Sequence, residues 1–180
     1  KDSAKQKGTG RWASIEALKQ GVDISMITSA CTARIMSNHL DEREKAWQLI
    51  HSPAVGLSPD KESFAAMVRE APYTGKIIAY AQGFSLMQDA SRLYGWNLDL
   101  GKIASIFRAG CIIQAVFLND ITHAFEAEPK PENLIFDGFF LSRINEHQDS
   151  LRQAVSTGVM NGLPIPALCN AVSYLDEFRA

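Results

Sequence analysis

Cysteine is scarce in this sequence, with three residues, Cys31, Cys111 and Cys169. They are widely spaced and odd in number, which argues against a disulfide framework and for a reducing compartment. The apolar neighbours of each predict a buried small hydrophobe. Long apolar runs are lacking too. The longest, Ala109 to Leu118, is interrupted by Gln114 and falls short of the roughly 18 residues a membrane helix needs. No signal peptide is visible. Nor does one sign of charge dominate: 18 Lys and Arg against 20 Asp and Glu leave a net charge of −2, which recruits neither nucleic acid nor an anionic membrane. The local exception is basic, with Lys1, Lys5, Lys7 and Arg11 against Asp2 at the start of the chain. These absences predict an ordinary globular protein of the cytoplasm, long enough at 180 residues to bury its own core.

Strand alternation is missing as well, and no internal repeat is present. Helical periodicity fills the gap. Trp12, Ile15 and Leu18 predict a short helix from Trp12 to Gln20, stopped at Gly21. Asp23 then caps a helix carrying Ile24, Ile27, Cys31 and Ile35, and Asp41 to Ile50 makes a third with acidic residues in its first turn. HSPAVGLSPDK (51–61) reads as a loop. Asp60 starts a further helix that Pro72 should end or kink. The most strongly helical piece runs from Tyr73 and closes at Gly95. Helices follow at Leu100–Arg108, Ile112–Glu126, Gly138–Gly158 and Pro164–Phe178, with prolines marking the joints. The expected fold is all-α, many helices packed about a central apolar pair at 76–94 and 100–126. Phe107, Phe117, Phe125, Phe136, Phe139 and Phe140 are expected in the core.

Chemistry is sparse. GTGRWA (8–13) has the spelling of a dinucleotide-binding turn, but that turn needs an apolar strand before it, and KDSAKQK is none. His39, His51, His123 and His147 never fall at metal-ligand spacing, so no metal is expected. What remains is cationic. Lys7 sits beside two glycines ahead of a helix start, where backbone N–H groups favour an anion. Such a lysine can bind an anionic substrate or, if partly desolvated, act as a base. Arg34, one residue past the Ile27–Cys31 face, is the second candidate.

Together these residues resemble a known family. KQKGTGRWASIEALKQGVDISMITSACTARIMS, KIIAYAQGF (76–84), YGWNLDLGKIASIFRAGCIIQAVFL (94–118) and SLRQAVSTGVMNGLPIPALCNAVSYLDEFR (150–179) resemble, in order, the helical domain of decarboxylating 6-phosphogluconate dehydrogenases. The resemblance implies that residues 1–180 form the helical substrate-binding and dimerisation domain of an enzyme of the pentose phosphate pathway. That enzyme oxidises 6-phosphogluconate with NADP and releases ribulose 5-phosphate and CO2. It implies a homodimer, and an NADP-binding Rossmann domain and a C-terminal tail that this sequence does not contain, so the chain alone is expected to be inactive. Carried over, Lys7 matches the lysine taken as general base and substrate contact, Thr9 a threonine near the substrate phosphate, and Arg34 a phosphate-binding arginine. Ala109 and Gln114 depart from the family's usual glycine and arginine. The competing expectation is a free-standing helical interaction module, with Lys7 and Arg34 as surface cations.

Overall fold

The structure is a computed structural model that describes residues 3–5, 7–53, 55–56, 60–108 and 110–180. Among these residues eight α-helices follow one another without a strand: α1 (Thr9–Gln20), α2 (Ser25–Met36), α3 (Leu40–Leu49), α4 (Lys61–Tyr94), α5 (Leu100–Ile106), α6 (Leu118–Glu126), α7 (Gly138–Met160) and α8 (Pro166–Arg179). A 3-10 turn, Leu134–Phe136, leads into α7. The all-α expectation holds.

The spine is α4. Asp60 caps it by accepting from the amides of Glu62 and Ser63, and Gly95, in the left-handed region at φ 65°, ends it. Of the end or kink expected at Pro72, the end does not occur, and the helix continues to Tyr94. Proline removes one backbone donor and costs about 3 kcal/mol in a helix interior. Against that, Met67 and Ala71 before it and Thr74, Gly75, Ile77 and Ile78 after it are buried. Each large apolar side chain so buried contributes roughly 1.5–3 kcal/mol, and the helix runs through.

The expected central pair is half right. The partner of α4 is α7, and the stretch 100–126 is broken into α5 and α6. Ile77, Ile78, Ala81 and Phe84 of α4 share one core with Phe140, Ile144 and Leu151 of α7. Phe117 fills the space between, its ring edge-on to Tyr73 at 5.7 Å, Tyr80 at 5.6 Å and Phe140 at 5.8 Å. At the rim Ser150 donates to the Glu70 carboxylate at 2.5 Å, which holds that carboxyl below its usual range. Arg152 grips Asp176 through two hydrogen bonds, at 2.6 and 2.9 Å, and so ties α7 to α8.

Residues 111–117 are turns, not the predicted start of a helix. A helix there would give the carbonyls of Ile113 and Gln114 to amides four residues on. Instead they accept from α4: the Lys76 ammonium reaches Gln114 O at 2.8 Å and the Tyr80 hydroxyl donates to Ile113 O. Ile112 stands fully exposed in consequence. The helix at Trp12–Gln20 is present, but its apolar residues Trp12, Ile15 and Leu18 face solvent, and only Ala17 is buried. Phe136 and Phe139 are exposed rather than core. The three cysteines form no disulfide and are half-buried rather than core.

Phe117 is the residue whose truncation should be felt most. Phe117→Ala is expected to lower stability by about 3–5 kcal/mol, since cavity and transfer losses add. Urea denaturation would show a lower midpoint at unchanged slope, and a loss under about 1 kcal/mol would place the core elsewhere.

Candidate functional site

The stretch KGTG folds as a turn into α1. Gly8, at the cap position, has φ 97° and ψ −21°, a left-handed conformation that glycine takes without strain. Its carbonyl accepts the first helical bond, from Trp12 N at 3.0 Å. No side chain caps the helix and no acidic residue lies in its first turn. The opening amides of α1 therefore point outward with the positive end of the helix dipole.

Helix α2 runs antiparallel beside α1. The Thr28 hydroxyl donates to Ser14 Oγ at 3.0 Å, and four residues back along α1 the Gly10 backbone lies against Cys31, whose Sγ would be 3.4 Å from a side chain placed there. The start of α1 thus meets the end of α2. The incoming chain is pinned to the same corner, with Ala4 N donating to Ser37 Oγ at 2.9 Å and Asn38 Nδ2 to Ala4 O at 3.2 Å. At the other end of α1 the Tyr94 hydroxyl donates to Glu16 at 2.5 Å, which holds the Glu16 carboxyl below its usual range and the Tyr94 phenol above its own.

This geometry brings the three predicted site residues to one place. Lys7, Thr9 and Arg34 are exposed and line a single open cavity of about 540 Å³. Arg34 is in the last turn of α2, where its charge suits the helix dipole. The floor is apolar, from Ile27, Ala30, Ala79 and Ala167, and Ile112 and Ile113 form one wall. Two cations, a hydroxyl and free helix-start amides on a mostly apolar cup suit an anion with a carbon chain attached.

Sequence reasoning missed the cup. Cys31 lines it, although it reads as a plain core residue, and Ile112 and Ile113 reach it only because 111–117 is not helical. The apolar run around them carries no signal of that turn. Ala109, a departure from the family pattern, lies outside the described residues. Gln114 keeps its carbonyl in the strap to α4. Among the described residues no three His, Cys, Asp or Glu side chains are placed to hold a metal. Among the described residues no helix is long and apolar enough to cross a membrane. GTGRWA opens a helix, and among the described residues no strand or sheet accompanies it as a dinucleotide turn requires.

Known proteins match this arrangement throughout. The family model described as 6-phosphogluconate dehydrogenase, C-terminal domain, matches residues 1–180. The decarboxylating 6-phosphogluconate dehydrogenase of Mus musculus is 45% identical over 180 residues, which are 99% of this chain and 37% of the mouse protein. That of Staphylococcus aureus strain N315 is 43% identical over 179 residues, 99% of this chain and 38% of its own length. Among solved structures, Plasmodium falciparum 6-phosphogluconate dehydrogenase, studied in its apo form and with its cofactor NADP+ and its substrate 6-phosphogluconate, superposes with a TM-score of 0.93 at 35% identity. The superposition covers 99% of this chain and 39% of that one. The chain therefore spans less than two fifths of the length of the relatives it matches. By its family model, its relatives and its fold, this chain belongs to the 6-phosphogluconate dehydrogenase C-terminal domain family.

Proposed function

We propose that this chain is the helical substrate-binding and dimerisation domain of a decarboxylating 6-phosphogluconate dehydrogenase, and that its cavity holds the phosphate end of 6-phosphogluconate. The observation that carries the reading is the meeting of Lys7, Thr9 and Arg34 on one cup at the uncapped start of α1. A phosphate monoester brings about −1.5 to −2 charges and three acceptor oxygens. Arg34 can meet two of those oxygens with its planar fork, Lys7 a third as a point charge, and the Thr9 hydroxyl and the α1 amides the remainder.

Between its two possible roles, the exposure of Lys7 beside a second cation favours phosphate binding over proton abstraction. A lysine becomes a base through desolvation, and solvent reaches this one. Anchoring the phosphate fixes the rest of the sugar acid, and orientation of that kind is worth several kcal/mol of barrier. The parent enzyme, on this reading, converts 6-phosphogluconate to ribulose 5-phosphate and CO2 with reduction of NADP. The residues here do not fit a dinucleotide site, so the cofactor is assigned to sequence outside this chain.

The homodimer is supported by what the surface leaves open. Trp47, Leu49 and Ile50 of the α3 region are at least 71% exposed, as are Leu18, Ile112 and Val116. None of the α3 residues is buried. Apolar surface on that scale marks contact with further protein. The rival reading, an interaction module with idle cations, does not account for three polar side chains converging on one cup.

In the full-length protein, Lys7→Ala and Arg34→Ala are each expected to raise KM for 6-phosphogluconate about 10- to 100-fold with kcat little changed, from about 1.5–3 kcal/mol per charge-assisted bond lost. A collapse of kcat at unchanged KM in Lys7→Ala would instead make it the base. The 180 residues alone should reduce no NADP with 6-phosphogluconate beyond a Lys7→Ala control, and turnover above that control would refute the assignment of cofactor binding elsewhere. Light scattering of the chain should report twice its 19.8 kDa, whereas a monomer mass would move the dimer contacts outside it.

A further inference from the structure

Gln82 stands in the apolar run KIIAYAQGF, and its carboxamide is wholly buried. A buried amide is costly unless it is satisfied, and here the oxygen and the nitrogen both have partners. Its oxygen accepts from Met26 N at 3.1 Å, and its nitrogen donates to Asp23 Oδ1 and to Ser25 Oγ, each at 3.1 Å. All three partners lie at the start of α2. That helix has no side-chain cap of its own, because Ile24 occupies the cap position. Gln82 supplies the missing acceptor from α4, and Asp23 completes the group by accepting from Ser25 N at 2.8 Å.

Resting on the reading of the cavity as a phosphate site, we propose that Gln82 is the positioning residue that sets the height and rotation of α2 on α4, and thereby the place of Arg34. Besides these ties α2 places Met26 in the main core, packs along α8 and is joined to α1 by the Thr28–Ser14 hydrogen bond. Apolar packing is non-directional and allows a helix to slide or turn. Three hydrogen bonds from one rigid carboxamide do not. From Met26 to Arg34 the helix rises about 12 Å, and in that span Ile27, Ala30 and Cys31 line the cup. A shift at the Gln82 end is carried along a stiff rod to the guanidinium. Among the described residues Gln82 hydrogen-bonds to none of the cavity's polar side chains, and its bonds run to the start of α2.

The test measures kcat and KM for 6-phosphogluconate at saturating NADP in the full-length protein. Gln82→Met keeps the shape and removes the polar ties, and KM should rise about tenfold with kcat within about twofold. Gln82→Glu sets a second carboxylate against Asp23 and should raise KM further. Gln82→Glu with Asp23→Asn exchanges amide and carboxylate, and should bring KM back to within about threefold of the parent. Arg34→Ala is the reference. If it raises KM while Gln82→Met, folded by circular dichroism, leaves KM unchanged, the positioning role is wrong and the phosphate site stands. If Arg34→Ala itself leaves KM unchanged, the site reading fails and this inference with it. Should Gln82→Met not fold, the exchange pair decides, and a KM in the double variant no better than in Gln82→Glu overturns the proposal.

Discussion

The burial of α4 is the constraint on which the other elements depend. One side of the helix carries Ile77, Ile78 and Phe84 into the core shared with α7 and Phe117, and that burial is large enough to absorb a proline in mid-helix. On another side Gln82 reaches the start of α2. The same rod therefore fixes the core and the frame of the cavity. Core residues such as Phe117, whose ring meets Tyr73 and Tyr80 of α4, have leverage on the site because they hold this helix in place.

The cavity follows from helix direction. With α1 and α2 antiparallel, the positive end of one dipole lies beside the negative end of the other. An arginine near the end of α2 stabilises that helix while it faces the open amides of α1. The site thus gathers positive potential without a strained arrangement of like charges on one helix. Gly8 contributes through its φ of 97°, which turns the chain at Lys7 into α1, and not through approach to a pyrophosphate.

Much of this could be read from the sequence, for stateable reasons. The helical periods of α4, α7 and α8 are long and carry their own boundary signals, such as Gly95 at the end of α4 and Pro166 at the start of α8. Lys7 was a candidate as a cation beside two glycines ahead of a helix start, whereas Arg34 at the edge of an apolar face is unremarkable by itself, and its role, like that of Thr9, came from the family resemblance. What failed were segments whose state is decided by a distant partner. Periodicity makes a helix of 112–118, but Lys76 and Tyr80 take its carbonyls. Trp12, Ile15 and Leu18 have the spacing of a buried face, yet all three are left exposed among the described residues. Gln82 was hidden for the opposite reason, since a polar residue within an apolar run says that a partner exists but not which helix supplies it.

The claim that matters most is that Lys7, Thr9 and Arg34 hold a phosphate. The most direct measurement is a crystal structure of the full-length protein with 6-phosphogluconate bound. The account predicts the phosphorus within hydrogen-bonding reach of the Arg34 guanidinium, the Lys7 ammonium and the Thr9 hydroxyl, with the sugar carbons lying along Ile27 and Ile113. A phosphate seated away from these three side chains, or Lys7 facing the C3 hydroxyl of the sugar acid instead, would contradict it.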